Sequence, residues 1–324
     1  MTPRRGLVLG KFLPYHAGHA HLIRSARAQV DTLTVLVCSI AREPIAGGLR
    51  YQWVRAAHPD CRVLHVSEEV PQTPEDDPHF WQIWTDLIER YAGEVDVVFT
   101  SEDYGDELGA RIGATHASVD RERTVVPTSG SAVREDPMSN WEFIPPQVRA
   151  HFVRRVAIVG TESTGKTTLA RNLAERFGTV WVPEFGREYC EHRDANALES
   201  FDFEAIVWGQ ATLEDEAAAR ATRVLICDTE LHTTCTWSDL IIGSCSPWLT
   251  QVARSRSYDL ILFLDADVAW VDDGTRVLSS RRAEHTMLLR AELDAAGKEY
   301  VMIAGDYEAR FDAAVRSIER LLRP

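Results

Sequence analysis

Two short stretches carry residue types whose spacing suits phosphate chemistry. The first, Gly160-Thr161-Glu162-Ser163-Thr164-Gly165-Lys166-Thr167, matches GxxxxGK[ST] without a mismatch. Its glycines let the backbone curl until successive N–H groups face phosphate oxygens, and a helix behind it adds the partial positive charge of its N-terminus. In that arrangement Lys166 bridges β- and γ-phosphates and the Thr167 hydroxyl holds Mg²⁺. Gly160, Glu162, Ser163, Thr164, Gly165, Thr167 and Thr168 form the expected nucleotide-binding set. The second stretch, Gly10-Lys11-Phe12-Leu13-Pro14-Tyr15-His16-Ala17-Gly18-His19, sets two histidines three residues apart. At the start of a helix such imidazoles share a face and point into the same crevice as the free N–H groups, which suits an anion. Gly18 permits close approach of a phosphate, and Pro14 fixes the turn. HxxH also suits zinc, but no neighbouring Cys or carboxylate completes a ligand set.

Other residues fit around these two. Ser129-Gly130-Ser131-Ala132-Val133-Arg134 joins small hydroxyls, a glycine and an arginine where a helix begins, a clamp for a polyphosphate tail. A phosphate loop needs a second carboxylate near its metal. Asp228 and Glu184 follow predicted strands and fit that position, with Asp265 and Asp267 as further candidates. Asp272-Asp273-Gly274-Thr275-Arg276, followed by Arg281 and Arg282, has the pattern of a lid whose arginines reach a transferring phosphoryl group. No NKxD guanine-reading sequence follows the phosphate loop, so a small-molecule kinase is favoured over a regulatory GTPase.

Both phosphate-binding stretches sit between a short apolar run, at 6–9 and 156–159, and an amphipathic helix. Such a unit opens parallel α/β domains, and here it occurs twice. Further strands are predicted at 33–38, 62–66, 95–100 and 124–126, with a helix over 80–91. In the second half they fall at 180–182, 224–227, 260–264 and 300–303, with a closing helix over 308–322. The expected fold class is α/β, as two doubly wound parallel-sheet domains. They span residues 1–140 and 154–324, joined by a polar, proline-punctuated linker over 141–153.

Composition narrows the function classes. A chain of 324 residues has length for two domains at ~100–200 residues each, and 45% hydrophobic with 26% charged residues describes a chain that folds. Thirty-five Lys and Arg against 49 Asp and Glu give a net charge of −14, which excludes a broad nucleic-acid or anionic-membrane surface but not a local phosphate pocket. The six cysteines form no CxxC pair, and Cys38 and Cys227 lie in apolar runs, as for buried thiols in a reducing compartment. Gly10 and Lys11 cut the first apolar run short of a signal sequence, and no stretch approaches the ~18 apolar residues of a membrane span. A cytoplasmic protein without nucleic-acid partners or membrane insertion is expected.

GKFLPYHAGH and SGSAVR resemble the paired signatures of the HxGH nucleotidyltransferases, GxFxPxHxGH and Ser-x-Thr-x-x-Arg. With a phosphate loop behind them, the order resembles the NadR-type bifunctional enzymes: a nicotinamide-mononucleotide adenylyltransferase followed by a ribosylnicotinamide kinase. Segments 100–102, 183–188 and 270–276 extend the similarity over nearly the whole chain. Ser131 stands where the family has Thr and keeps a hydroxyl. Repressor members carry a helix-turn-helix region ahead of the transferase, whereas here the first strand begins at about Gly6; with the charge of −14, a repressor role is not expected.

The resemblance implies that the first domain joins nicotinamide mononucleotide and ATP into NAD and pyrophosphate. His16 and His19 would serve the triphosphate and transition state, Lys11 and Arg134 the phosphates, and Ser129 and Ser131 auxiliary hydrogen bonds. Gly10, Phe12 and Gly18 would shape the nucleotide site, with Trp81 and Trp84 a stacking platform for the pyridine. The second domain would phosphorylate nicotinamide riboside from ATP through Lys166. Glu184 and Asp228 share the roles of base and metal ligand, and Thr167 and Asp228 hold Mg²⁺. Arg276 and Arg281 would cover the phosphates, Trp270 and Arg187 contact the riboside, and Gly305-Asp306-Tyr307 form an adenine-side loop. Mg²⁺, with ATP as co-substrate at both sites, is implied. The partners would be nicotinamide riboside, its mononucleotide, ATP and NAD, with self-association left open. A nucleotide-sensing regulator of weak turnover, and a transferase or kinase for another phosphorylated small molecule, stay open as alternatives.

Overall fold

The computed structural model describes residues 3–191, 193, 197–268 and 281–323. The chain divides into two compact units, Met1–Val148 and Arg149–Pro324. The stretch 141–153, expected as a linker, is folded, with a 3₁₀ turn at Trp141–Phe143 and a helix at Pro146–Phe152. Trp141, Ile144 and Val148 within it are buried.

The N-terminal unit is a five-stranded parallel sheet of β1 (Arg5–Gly10), β2 (Thr32–Cys38), β3 (Arg62–Val66), β4 (Val97–Thr100) and β5 (Thr115–Ser118), in the order β3-β2-β1-β4-β5. The central strand reads Leu7-Val8-Leu9 without polar alternation because helices cover both faces of the sheet. Leu7, Leu9, Leu36, Val98, Leu87 and Ile88 meet in one core cluster, the last two from the helix Phe80–Ala92. Order reverses at β1, which pairs with β2 on one side and β4 on the other, so a crevice opens at their carboxyl ends.

One predicted strand is corrected. Residues 124–126 form no strand: the Asp120 carboxylate accepts the Val125 and Val126 N–H groups, each at 3.0 Å, so those donors close a loop instead of a ladder. The fifth strand is Thr115–Ser118, an edge segment whose half-exposed polar residues carry no apolar run to reveal it.

The C-terminal unit repeats the scheme with β6 (Arg154–Val159), β7 (Trp181–Val182), β8 (Val224–Asp228), β9 (Leu260–Leu264) and β10 (Val301–Ile303), all parallel, in the order β10-β9-β6-β8-β7. Alternate residues of β6 serve opposite faces. Val156 and Ile158 pack with Leu169, Leu173 and Ile318 from the helices Lys166–Phe177 and Tyr307–Leu321. Ala157 and Val159 pack with Leu289 and Leu293 of the helix Arg282–Ala295. No helix among the described residues is long and apolar enough to cross a membrane.

Candidate active sites

In the N-terminal unit the chain leaves β1 at Gly10 and enters the helix Ala17–Arg27 through His16, its N-cap. His16 Nδ1 accepts the Gly18 N–H at 3.1 Å, and His19 Nδ1 accepts the His16 N–H at 3.4 Å. Two imidazoles thus build a capping box that hydroxyl and carboxylate side chains usually form. With both Nδ1 atoms accepting, each neutral ring carries its proton on Nε2. Burial, and then the nearby Arg123 charge, push His16 down to about 4. Burial first, with His16 and Arg123 behind it, holds His19 well below the ordinary imidazole range. At neutral pH the pair is therefore two uncharged donors with ring centroids 3.8 Å apart. Gly18 has a different reason from the one read in the sequence: a Cβ there would stand 2.9 Å from His16 Cε1, so the glycine makes room for the capping ring.

A cleft of about 930 Å³ brings together Lys11, His16, His19, Ser129, Ser131 and Arg134, with Gly10, Phe12, Gly18, Trp81 and Trp84 in its wall. Lys11 Nζ lies 3.3 Å from Glu43, a carboxylate also held by fully buried Arg50, whose Nη1 donates to the Lys11 carbonyl at 2.5 Å. Arg134 donates to the Leu13 carbonyl through Nη1 and to Ser131 Oγ at 3.1 Å through Nη2, so it joins the two motifs directly. Ser129 caps the helix Gly130–Glu135, its Oγ accepting the Ala132 N–H at 3.1 Å. Trp84 donates to the Pro71 carbonyl at 3.0 Å and Trp81 lies under Arg111; both rings border the cleft and pack on the core.

In the C-terminal unit the phosphate loop leaves β6 and ends in the helix Lys166–Phe177. Gly160 has φ +144° and a Cβ there would stand 2.8 Å from the Leu264 carbonyl oxygen, so no larger residue fits between β6 and β9. The Thr161 carbonyl is a hub, accepting Thr164 Oγ1 at 2.9 Å and Lys166 Nζ at 3.1 Å. Thr168 is exposed on the first helical turn. Thr167 Oγ1 donates to Asp228 Oδ2 at 2.6 Å, whereas buried Asp228 Oδ1 has no hydrogen-bond partner among the described residues. Burial first, then the charge of Glu184, push Asp228 up to about 6. Glu184 precedes the helix Phe185–Cys190 and pairs with Arg187 at 3.5 Å.

Arg281 does not reach the loop: its guanidinium is held by Glu284 and the Leu240 carbonyl. Arg282 does, donating to the Ser163 carbonyl at 3.4 Å and the Val268 carbonyl at 2.9 Å. Trp270 and Arg276 lie outside the described residues. Asp267 is occupied by Arg310 and by the Gly305 N–H at 2.7 Å, and Asp306 caps the helix Tyr307–Leu321, so the 305–307 turn is bound into the fold.

The cytidylyltransferase-like family matches residues 7–135 and an AAA domain matches residues 155–310. The trifunctional NAD biosynthesis/regulator protein NadR of Escherichia coli (strain K12) is 31% identical over an alignment covering 98% of this chain and 83% of the relative. The chain belongs to the NadR family. The NadR of Salmonella typhimurium (strain LT2) is likewise 31% identical, over 99% of this chain and 85% of its own. A crystal structure of NadR protein in complex with NR matches the fold with a TM-score of 0.85, covering 99% of this chain and 97% of that one at 22% identity.

The NadR-family chain also carries site residues that sequence reasoning missed. Glu43 and Arg50 hold Lys11, Arg123 borders the cleft beside the histidines, and Arg310 donates to the Thr164 carbonyl at 2.9 Å beneath the phosphate loop. None belongs to a recognisable motif, and only sheet order brings them to their partners.

Two outcomes are expected. The unfolded His16 imidazole titrates near 6.5 and the folded one near 4, so the unfolded chain binds more protons between those values. Stability present above pH 6.5 is therefore lost as pH falls toward about 4. His16→Asn keeps an N-cap acceptor and should flatten that loss relative to the parent, as read by urea midpoints at pH 7 and 4.5; identical pH dependence in the two proteins would contradict it. Gly160→Ala should cost about 1–3 kcal/mol of stability in thermal unfolding through backbone strain, and abolish triphosphate binding by this unit.

Proposed function

We propose that this chain carries out two successive steps of NAD salvage: phosphorylation of nicotinamide riboside by ATP, and adenylylation of the resulting mononucleotide to NAD. The family relationship supports both activities. The observation that carries the reading is that each unit gathers phosphate-suited groups at the carboxyl end of its central strand, paired neutral imidazoles in one and a glycine-bearing loop with the Lys166 ammonium in the other.

In adenylyl transfer, a phosphate oxygen of nicotinamide mononucleotide attacks the α-phosphorus of ATP, the α–β bridging bond breaks, and pyrophosphate leaves. His16 and His19 offer Nε2–H donors to the triphosphate, and the anion they bind raises their affinity for a second proton as charge grows. Lys11, anchored by Glu43, and Arg134, anchored on Leu13, frame the phosphates, which places binding energy in positioning. Ser129 and Ser131 add hydrogen bonds, and Trp81 and Trp84 border the space for the pyridinium ring, to which an aromatic face is attractive.

In phosphoryl transfer, Lys166 exchanges its Thr161 carbonyl for phosphate oxygens. Glu184 orients the riboside 5′-hydroxyl or takes its proton, and Arg187 lies beside it. The unpaired Asp228 Oδ1 and the hydroxyl of Thr167 fit a hard cation that keeps several waters, so these two residues would hold Mg²⁺. When bound, that ion neutralises phosphate charge. Arg282, which donates to the Ser163 carbonyl of the loop, would meet the phosphates there.

The test is a split of activities in the full chain supplied with nicotinamide riboside, ATP and Mg²⁺ and followed by chromatography. His19→Ala should lower NAD formation by at least ~10²-fold while mononucleotide accumulates. Lys166→Ala should stop riboside phosphorylation yet leave NAD synthesis from added mononucleotide intact. Retained riboside phosphorylation in Lys166→Ala would remove the kinase assignment, and turnover of other phosphorylated acceptors in preference to the mononucleotide would redirect the first.

A further inference from the structure

His285 lies in the helix Arg282–Ala295, away from every motif, and is 1% exposed. Its two nitrogens face two hydroxyls: Nδ1 lies 3.2 Å from Thr161 Oγ1 in the phosphate loop, and Nε2 lies 3.1 Å from Thr236 Oγ1 in the helix Leu231–Ile242. The direction of these bonds follows from their neighbours. Thr236 Oγ1 gives its proton to the Thr233 carbonyl at 2.8 Å, so toward His285 it accepts. Nε2 is therefore the protonated nitrogen and Nδ1 the acceptor, which takes the Thr161 hydroxyl proton. Burial, then the Lys166 charge, push His285 down to about 3, so this tautomer is uncharged throughout the physiological range. Trp237 stacks on the ring at 4.1 Å and fixes its plane.

The relay runs from the loop, through the imidazole, to a helix whose N-cap, Glu230, accepts the His232 and Thr233 N–H groups at 2.7 Å each. Glu230 stands two residues after Asp228. The Thr161 carbonyl on the near side of the relay is the group that holds Thr164 and Lys166. Holding the Thr161 side chain therefore sets the register of the loop backbone against the carboxylate end of β8.

We propose that His285 is a positioning residue for phosphoryl transfer, acting through the Thr161 hydroxyl to hold the phosphate loop in its triphosphate-ready shape. This rests on the kinase reading above. His285 touches no substrate. Its effect is preorganisation: without it the loop samples other curls, and ATP must order the loop as it binds.

The test uses the full chain and initial rates of riboside phosphorylation, with NAD synthesis from added mononucleotide as the internal control. His285→Ala should raise KM for ATP about tenfold and lower kcat severalfold, with KM for the riboside and the control reaction unchanged. His285→Asn, whose side-chain oxygen can take the place of Nδ1, should recover most of the loss, and His285→Gln, which reaches toward Thr236, should recover less. Thr161→Val removes the hydroxyl while leaving the imidazole, and should reproduce the ATP effect in a chain whose core is otherwise unaltered. Combined with His285→Ala it should add nothing further. A fall in kcat with KM for ATP unchanged marks fewer folded molecules and would overturn the proposal, as would additive effects of the two substitutions, rescue by Gln as good as by Asn, or parental kinetics in Thr161→Val. Failure of the kinase reading itself shows separately, as retained phosphorylation in Lys166→Ala.

Discussion

A parallel strand buried on both faces can present polar chemistry only where it ends, and in each unit the central strand is such a strand. Leu7, Val8 and Leu9 in one, and Val156 to Val159 in the other, are closed off by helices above and below. The chain must leave each strand through a turn and begin a helix, and that places unpaired helix N–H groups beside whatever side chains the turn carries. From this one constraint the positions of His16, His19, Lys166 and Thr167 all follow. The two units differ in what fills the turn. The first closes its helix terminus with its own imidazoles; the second folds Lys166 back on the Thr161 carbonyl.

Electrostatics at the two sites are set by burial more than by net charge. In a chain of −14 charge still acts locally: neutral imidazoles cost less to bury than cations, and Arg123, Arg134 and Lys11 stand at the cleft border where water partly solvates them. In the C-terminal unit the same low-dielectric setting disfavours the Asp228 carboxylate until a cation or proton answers it. The hydrogen bonds that hold Thr161, Thr164 and Arg310 are buried, where a low dielectric strengthens each of them.

Much of this was legible in the residues themselves. The phosphate loop, the paired histidines and the acids at strand ends were read from spacing, because short-range geometry determines them: a turn of a few residues between a strand and a helix has few solutions. The strand over 115–118 was missed and one over 124–126 expected in its place, since an edge strand of Thr, His, Ala and Ser has no apolar pattern, while Thr-Val-Val does. Asp120, by accepting two of those backbone N–H groups, decided the matter through a side chain. Arg281 and Arg282 were both expected among the lid arginines, with Arg281 covering the phosphates; in the fold Arg281 is held by Glu284 and the Leu240 carbonyl while Arg282 donates to the Ser163 carbonyl, a difference set by tertiary contacts rather than by spacing.

By itself the sequence determined the fold class, the strand-to-helix turns that carry the phosphate loop and the paired histidines, and the family resemblance, because each depends on residues near one another along the chain. Tertiary structure alone decided which distant groups steady them: Glu43 and Arg50 behind Lys11, Arg134 on the Leu13 carbonyl across 121 positions, and His285 on Thr161 across 124. Those contacts come from strand order and helix packing, and a hydrogen bond between elements far apart in the chain leaves no periodic trace in either one.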